Sequence, residues 1–161
     1  MNPLLVRRAD SSDIALLVPL VGEYWAFEGI EGFEAARIQA LLARLLPPAG
    51  EPAPLGAVWL ASQENVALGY LIAVRVFSLE HQGLMAEIDE FFVRESARSR
   101  GVGAALLDAA ERDLANEGCV RLQLQLGRQN AAARQFYRRR GYVERAGFEL
   151  MDRPLGGRPE R

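Results

Sequence analysis

The run Arg98-Ser99-Arg100-Gly101-Val102-Gly103-Ala104 has the composition of an anion cradle. It follows an apolar-rich segment at 88–93 and opens the helical pattern Val102, Leu106, Ala110, Leu114. The first turn of a helix leaves backbone N–H groups without intrahelical partners at the positive end of the helix dipole. Glycine at 101 and 103 removes the Cβ atoms that would hold an anion off, and Arg98 and Arg100 add charge and fixed donors. A diphosphate suits this arrangement better than a neutral ligand. Two familiar glycine-rich fingerprints are absent: Leu106 stands where a dinucleotide motif needs its third glycine, and no Gly-Lys-Ser/Thr triplet follows Gly101.

A second set of chemically capable residues lies just upstream. Glu87, Asp89 and Glu90 fall inside an expected strand, where strict alternation puts Glu87 and Asp89 on one face and Glu90 on the other. Acids inside a central strand need a reason, such as water access, a ligand or a paired arginine. A third set, Glu23-Tyr24-Trp25-Ala26-Phe27-Glu28, combines aromatic faces with carboxylates. Tyr24, Trp25 and Glu28 could hold a cationic amine by cation–π attraction and charge pairing, or the aromatics could pack a helix end while the glutamates face water. His81, the one histidine, has a ring suited to proton transfer at neutral pH but falls in a polar connection and is expected to be solvent-exposed. Cys119 is expected as a buried structural thiol, and no His, Cys, Asp and Glu cluster has metal-site spacing, so no metal is expected.

The elements that must position these residues follow from periodicity. A strand at 4–8 leads to a helix capped from Asp10, Ser11 or Ser12, and a second helix at 32–46 ends at Pro47-Pro48. Strands at 56–62 and 66–77 read as an antiparallel pair turning near Asn65, followed by a strand at 86–93. A helix at 101–117, a strand at 120–126 and a helix from Asn130 to Gly141 come next. Tyr142-Val143 and residues 148–151 are read as two final strands, and 156–161 as a polar tail. The order β-α-α-β-β-β-α-β-α-β-β predicts an α/β protein with a mixed, mostly antiparallel central sheet flanked by helices. At 161 residues, half of them hydrophobic, residues 1–155 are expected to form a single domain. The net charge of −2 gives no support to a nucleic-acid partner. The absence of a leader pattern and of a long apolar run predicts a soluble, cytoplasmic protein with no membrane partner.

With this element order, the chain closely resembles the GCN5-related N-acetyltransferase (GNAT) superfamily. The family's Gln/Arg-x-x-Gly-x-Gly/Ala signature matches Arg98-Ser99-Arg100-Gly101-Val102-Gly103. Its second signature appears as Asn130-Ala131-Ala132-Ala133-Arg134-Gln135-Phe136-Tyr137, followed by Gly141-Tyr142. Glu95 departs from the family, many of whose members carry proline there. The resemblance implies direct acetyl transfer from acetyl-CoA to an amine, with no metal cofactor. It implies that the strand through Phe91, Phe92 and Val93 pairs with the pantetheine arm of acetyl-CoA. The amides of Arg98, Ser99, Arg100, Gly101, Val102, Gly103 and Ala104 would hold the pyrophosphate, and Asn130 would bond near the pantetheine.

Tyr137 occupies the family's general-acid position, where a hydroxyl with pKa near 10 can give a proton to the departing thiolate. Glu87 stands before Arg98 at the spacing of the general-base glutamate in the histone-acetylating branch. Asp89, also a candidate for holding substrate, and Glu90 remain alternative bases, as does a water relay. The acceptor is expected to be a small-molecule amine, with homodimerisation open; the alternatives are a protein or peptide acceptor, or a non-catalytic acetyl-CoA sensor.

Overall fold

The computed structural model describes residues 3–155, so the expected tail at 156–161 lies outside the described residues. Strand β1 (Leu5–Arg8) runs into a reciprocal cap. The Asp10 carboxylate accepts from the Ser12 N–H (2.8 Å), and Asp13 accepts from the Asp10 N–H (3.0 Å). The resulting 3-10 turn, Ser11–Asp13, launches helix α1 (Ile14–Glu28), which buries Leu17, Leu20 and Val21 and ends at Gly29 with φ +68°. Helix α2 (Ala35–Leu45) buries Ile38 and Leu42 and stops ahead of Pro47-Pro48. Strands β2 (Gly56–Gln63) and β3 (Val66–Ser78) are joined through Glu64 and Asn65, both in the left-handed region at φ 53° and 63°, which suits a two-residue hairpin turn. Strand β4 (Gly83–Val93) leads through a short 3-10 turn, Glu95–Ala97, into helix α3 (Val102–Asn116) and strand β5 (Arg121–Leu124).

The five strands form one sheet in sequence order, antiparallel from β1 to β4, with β5 parallel to β4. The mixed, mostly antiparallel sheet expected from the element order is therefore present. On one face, Val58, Leu60, Tyr70, Ile72 and Phe92 pack with Leu17, Leu20, Val21, Ile38 and Leu42 of α1 and α2. The other face meets α3, which buries Val102, Leu106, Leu107, Ala110 and Leu114. Trp59, fully buried, donates from Nε1 to Asp113 of α3 at 2.8 Å. Strands β2–β4 bury aromatic and branched side chains on both faces, which anchors them in the core.

The described residues 126–155 belong to a second compact unit. It contains helix α4 (Ala131–Arg139) but neither of the two expected final strands among its described residues. Residues 142–155 form no ladder; Gly147 takes φ +94°, and Phe148, Leu150 and Met151 are 68%, 70% and 90% exposed. Their apolar pattern is too short to hold a strand without a neighbouring backbone to pair with. Glu144 instead draws this segment to α4, accepting from Arg134 (3.0 Å) and Arg138 (2.9 Å).

Candidate functional site

The β3–β4 ladder shifts register within the acidic stretch. Ala73 faces Ile88 and Ile72 faces Glu90, so Asp89 is the extra residue of a β-bulge. Val74 faces Glu87, and Val74 and Ile72 lie on one face of β3, so Glu87 and Glu90 share a face. This corrects the alternation expected from the sequence, which put Glu90 opposite Glu87; one inserted residue reverses the parity of everything after it. The β4–β5 ladder ends at the same place, with Ile88 opposite Leu124. Arg94 donates its N–H to the Leu68 carbonyl on β3, so the backbone groups of Val93 point to the other edge of β4.

The three strand acids have different surroundings. Glu87 is clamped by β5 and the residue just past it: its Oε2 accepts from Gln123 Nε2 (2.6 Å) and its Oε1 from Gln125 Nε2 (3.0 Å). Glu90 accepts from Trp25 Nε1 (2.9 Å) and from the Tyr70 hydroxyl (2.7 Å), joining α1 to β3. Asp89 accepts no hydrogen bond from the described residues. It lies at the surface, yet desolvation by the surrounding protein, and then the negative charge of Glu87, raise its carboxyl above the usual aspartate range. Gln123, Gln125 and Tyr70 were not anticipated. The spacing of the two glutamines hints at amides on one strand face, but nothing local ties them or Tyr70 to a particular acid.

Tyr24 and Trp25 stand in the third and fourth turns of α1, beside these acids. The Tyr24 ring meets Tyr70 edge-on (6.5 Å between centroids) and tilts against Phe92 (6.0 Å). Burial, followed by the charges of Glu28, Glu90 and Asp89, pushes its hydroxyl up to about 12. Tyr70, fully buried and bonded to Glu90, is raised further, chiefly by desolvation. Both phenols therefore stay protonated at neutral pH and can donate. Glu28 is exposed, and among the described residues it forms no ion pair.

Helix α3 starts at Gly101 with φ +80° and no side-chain cap, a backbone that L-residues rarely adopt. The first N–H groups of this helix are thus available to an anion. A Cβ on Gly103 would reach only ordinary contact with Phe91 (3.5 Å) and Val93 (3.7 Å), so the fold itself does not demand glycine there. Ser99 also has positive φ, at 59°. Of the two motif arginines, Arg100 donates to Gln63 (3.2 Å). Arg98 donates from Nε to the Val93 carbonyl (2.9 Å) and lies over the rings of Phe27 (4.5 Å) and Phe92 (5.9 Å).

In the second unit, Asn130 Oδ1 accepts from the Ala133 N–H (3.0 Å) and caps α4. Tyr137 is buried, its ring against Phe136 and Tyr142 at 5.3 Å each. His81 is half-buried, not solvent-exposed, with Nδ1 3.0 Å from the Ser78 hydroxyl. Cys119 is likewise half-buried instead of buried, with a thiol pKa raised mainly by desolvation, which opposes thiolate chemistry. Among the described residues no group of acids, histidine and cysteine is arranged to hold a metal, and no helix is long and apolar enough to cross a membrane. A cavity of about 640 Å³ lined by Arg8, Leu46, Arg75 and Glu117 contains none of the expected site residues; Glu117 pairs with both of its arginines.

Known proteins resemble this chain in sequence and in architecture. The chain is 28% identical over 150 residues to the uncharacterized N-acetyltransferase YhfO of Bacillus subtilis, covering 89% of this chain and 92% of that protein. It is 28% identical over 154 residues to the aminoglycoside N(6')-acetyltransferase type 1 of Klebsiella aerogenes, covering 94% and 97% respectively. An integron cassette protein from the mobile metagenome of Cole Harbour Salt Marsh, HFX_CASS3, superimposes with a TM-score of 0.80 at 29% identity, over 95% of this chain and 91% of its own. The model of the acetyltransferase (GNAT) family matches residues 21–142, from the middle of α1 past both sequence signatures, and the chain belongs to that family.

Proposed function

We propose that this protein transfers the acetyl group of acetyl-CoA to a primary amine of a small cationic molecule. The observation that carries this reading is the end of the β4–β5 ladder at Ile88–Leu124, beside a bulge and ahead of an uncapped helix start. An extended chain can add to such an edge through main-chain hydrogen bonds. The residues present fit acetyl-CoA: Val93 turns its N–H to that edge, and the amides of Val102, Gly103 and Ala104 meet no side-chain cap. Bound there, acetyl-CoA would supply the thioester carbonyl that the amine attacks.

The chain's own residues have three tasks. Tyr24, Trp25 and Glu28 form an aromatic and acidic wall that suits a cation. The acids of β4 draw the protonated amine and take its excess proton. Asp89 is the acceptor of that proton in this reading, because no donor among the described residues engages its oxygens and its raised pKa makes it a stronger base than an ordinary aspartate. Glu87 supports it by charge, held by Gln123 and Gln125. The Tyr137 hydroxyl is proposed to protonate the leaving thiolate, the role its motif position implies. The likeness to an aminoglycoside acetyltransferase favours a small polyamino acceptor over a protein one. Acetyl-CoA turnover should be measured with an aminoglycoside, spermidine and a lysine-containing basic peptide. Higher kcat/KM for either small amine supports the reading; preference for the peptide, or no turnover with any primary amine, overturns it.

A further inference from the structure

Arg98 belongs to the loop that the sequence motif assigns to the diphosphate, but its guanidinium is engaged elsewhere. Nε donates to the Val93 carbonyl at 2.9 Å, and the guanidinium carbon lies 4.5 Å from the centroid of Phe27 and 5.9 Å from that of Phe92. Phe27 is 62% exposed at the end of α1, where it meets the Arg98 guanidinium and the ring of Phe92 (6.4 Å between centroids). Four residues earlier on the same helix face, Glu23 binds Arg94 through Nε (2.9 Å) and Nη2 (2.6 Å). Arg94 also donates to the Ala67 carbonyl on the strand alongside (2.7 Å). Two arginines four apart at the exit of β4 therefore grip two residues four apart on α1, one by a fork of charge-assisted bonds and one by a π-face. Between the gripped residues are Tyr24 and Trp25, and Glu28 follows directly.

We propose that Arg98, with Arg94, is a positioning residue for the acceptor side: the two side chains clamp the last turns of α1, and the Arg98 guanidinium does not act as a ligand of the diphosphate. The inference rests on the acetyl-transfer reading for its kinetic consequence alone. A guanidinium is needed because one flat group must donate to a carbonyl and cover a ring at the same time; an ammonium supplies a charge but not that geometry. As a phosphate ligand the guanidinium would turn its fork to the anion, whereas here Nε and one face are spent on Val93 and Phe27. Clamping the wall from the cofactor loop would fix where the amine stands relative to the strand acids without adding to cofactor affinity.

The test uses Arg98→Lys, Arg98→Ala and Phe27→Leu in the full chain. Titration calorimetry with CoA should give Kd values within about twofold of the parent for all three, with unchanged salt dependence. Acceptor KM, with the best amine found above, should rise about three- to tenfold in Arg98→Ala and Arg98→Lys and two- to fivefold in Phe27→Leu, with kcat nearly kept. The Arg98→Ala/Phe27→Leu double variant should be no worse than Arg98→Ala alone. Independently of turnover, the indole N–H resonance of Trp25, which bonds Glu90, should shift in all three variants while that of Trp59 does not. CoA binding weakened about tenfold in Arg98→Ala, whether or not Arg98→Lys restores it, would overturn the clamp. Additive effects of Arg98→Ala and Phe27→Leu, or an unmoved Trp25 signal, would overturn it too. Absence of turnover with any amine would defeat the acetyl-transfer reading while leaving the calorimetric and resonance tests to decide the clamp.

Discussion

Replacing Asp89 and Glu87 separately by their amides distinguishes the two carboxylates, because the structure gives them opposite costs. Asp89→Asn is nearly isosteric and loses no hydrogen bond within the protein. It also removes a desolvated charge beside Glu87, so it should not destabilise at neutral pH. Glu87→Gln keeps one acceptor oxygen and puts an N–H2 donor where the other stood, so of the bonds at 2.6 and 3.0 Å one becomes neutral and the other is lost unless a glutamine amide turns over, at a cost of about 1–3 kcal/mol. The kinetic order is the reverse. Removing a general base costs about 10²–10⁴ in rate, roughly 3–5 kcal/mol. That loss should fall on Asp89→Asn, measured as single-turnover acetyl transfer across pH. In the parent, the acidic limb of kcat/KM should lie above the ordinary aspartate range, because the base works only when deprotonated and burial raises its pKa. Glu87→Gln removes the neighbouring negative charge, which lowers the Asp89 pKa. The limb should then move to lower pH with the plateau kept within a few-fold. A collapsed plateau in Glu87→Gln beside near-parent transfer by Asp89→Asn would refute this reasoning and return the base to Glu87.

Three further outcomes are expected. Gly101→Val forces a β-branched residue to φ +80°, costing about 1–2 kcal/mol, and should weaken CoA binding about tenfold or more by calorimetry. Tyr137→Phe keeps the ring contacts with Phe136 and Tyr142 and should lower single-turnover transfer about 10²–10⁴-fold with acetyl-CoA affinity unchanged. Asp13, buried at 3% exposure, takes both forks of Arg7 at 2.7 and 2.8 Å, and these bonds lower its pKa. The stability from that lowering is present above the unfolded carboxyl's pKa, near 3.8, and is lost as pH falls through the folded value. Asp13→Asn should therefore cost about 2–4 kcal/mol in urea unfolding at pH 7, with the gap closing in acid.

The sequence by itself determined the order of the elements through α4, the mixed and mostly antiparallel character of the sheet, the helices that cover it, and the family. Each rests on local signals: the apolar runs of β2 and β3 broken near Asn65, the apolar stripe of α3, the Asp10 cap, and two glycines at a basic helix start. It also brought the right chemistry to attention, since acids in a strand and aromatics beside carboxylates at the end of a helix are visible as residue types. Tertiary structure alone decided how those residues are used. The bulge at Asp89 is invisible in a linear pattern because it exists only in the register between β3 and β4, yet it puts Glu90 on the face of Glu87. The donors on the acids come from far along the chain: Trp25 and Tyr70 reach Glu90, and Gln123 and Gln125 reach Glu87. Arg98 shows the same division. Its motif announces a phosphate loop, but a guanidinium goes wherever a carbonyl and a π-face converge, and only the packing of α1 against β4 brings Val93 and Phe27 to the same point. The final strands expected at 142–143 and 148–151 failed for a related reason. Apolar spacing can prepare a strand, but its backbone hydrogen bonds depend on a neighbour that the spacing does not supply.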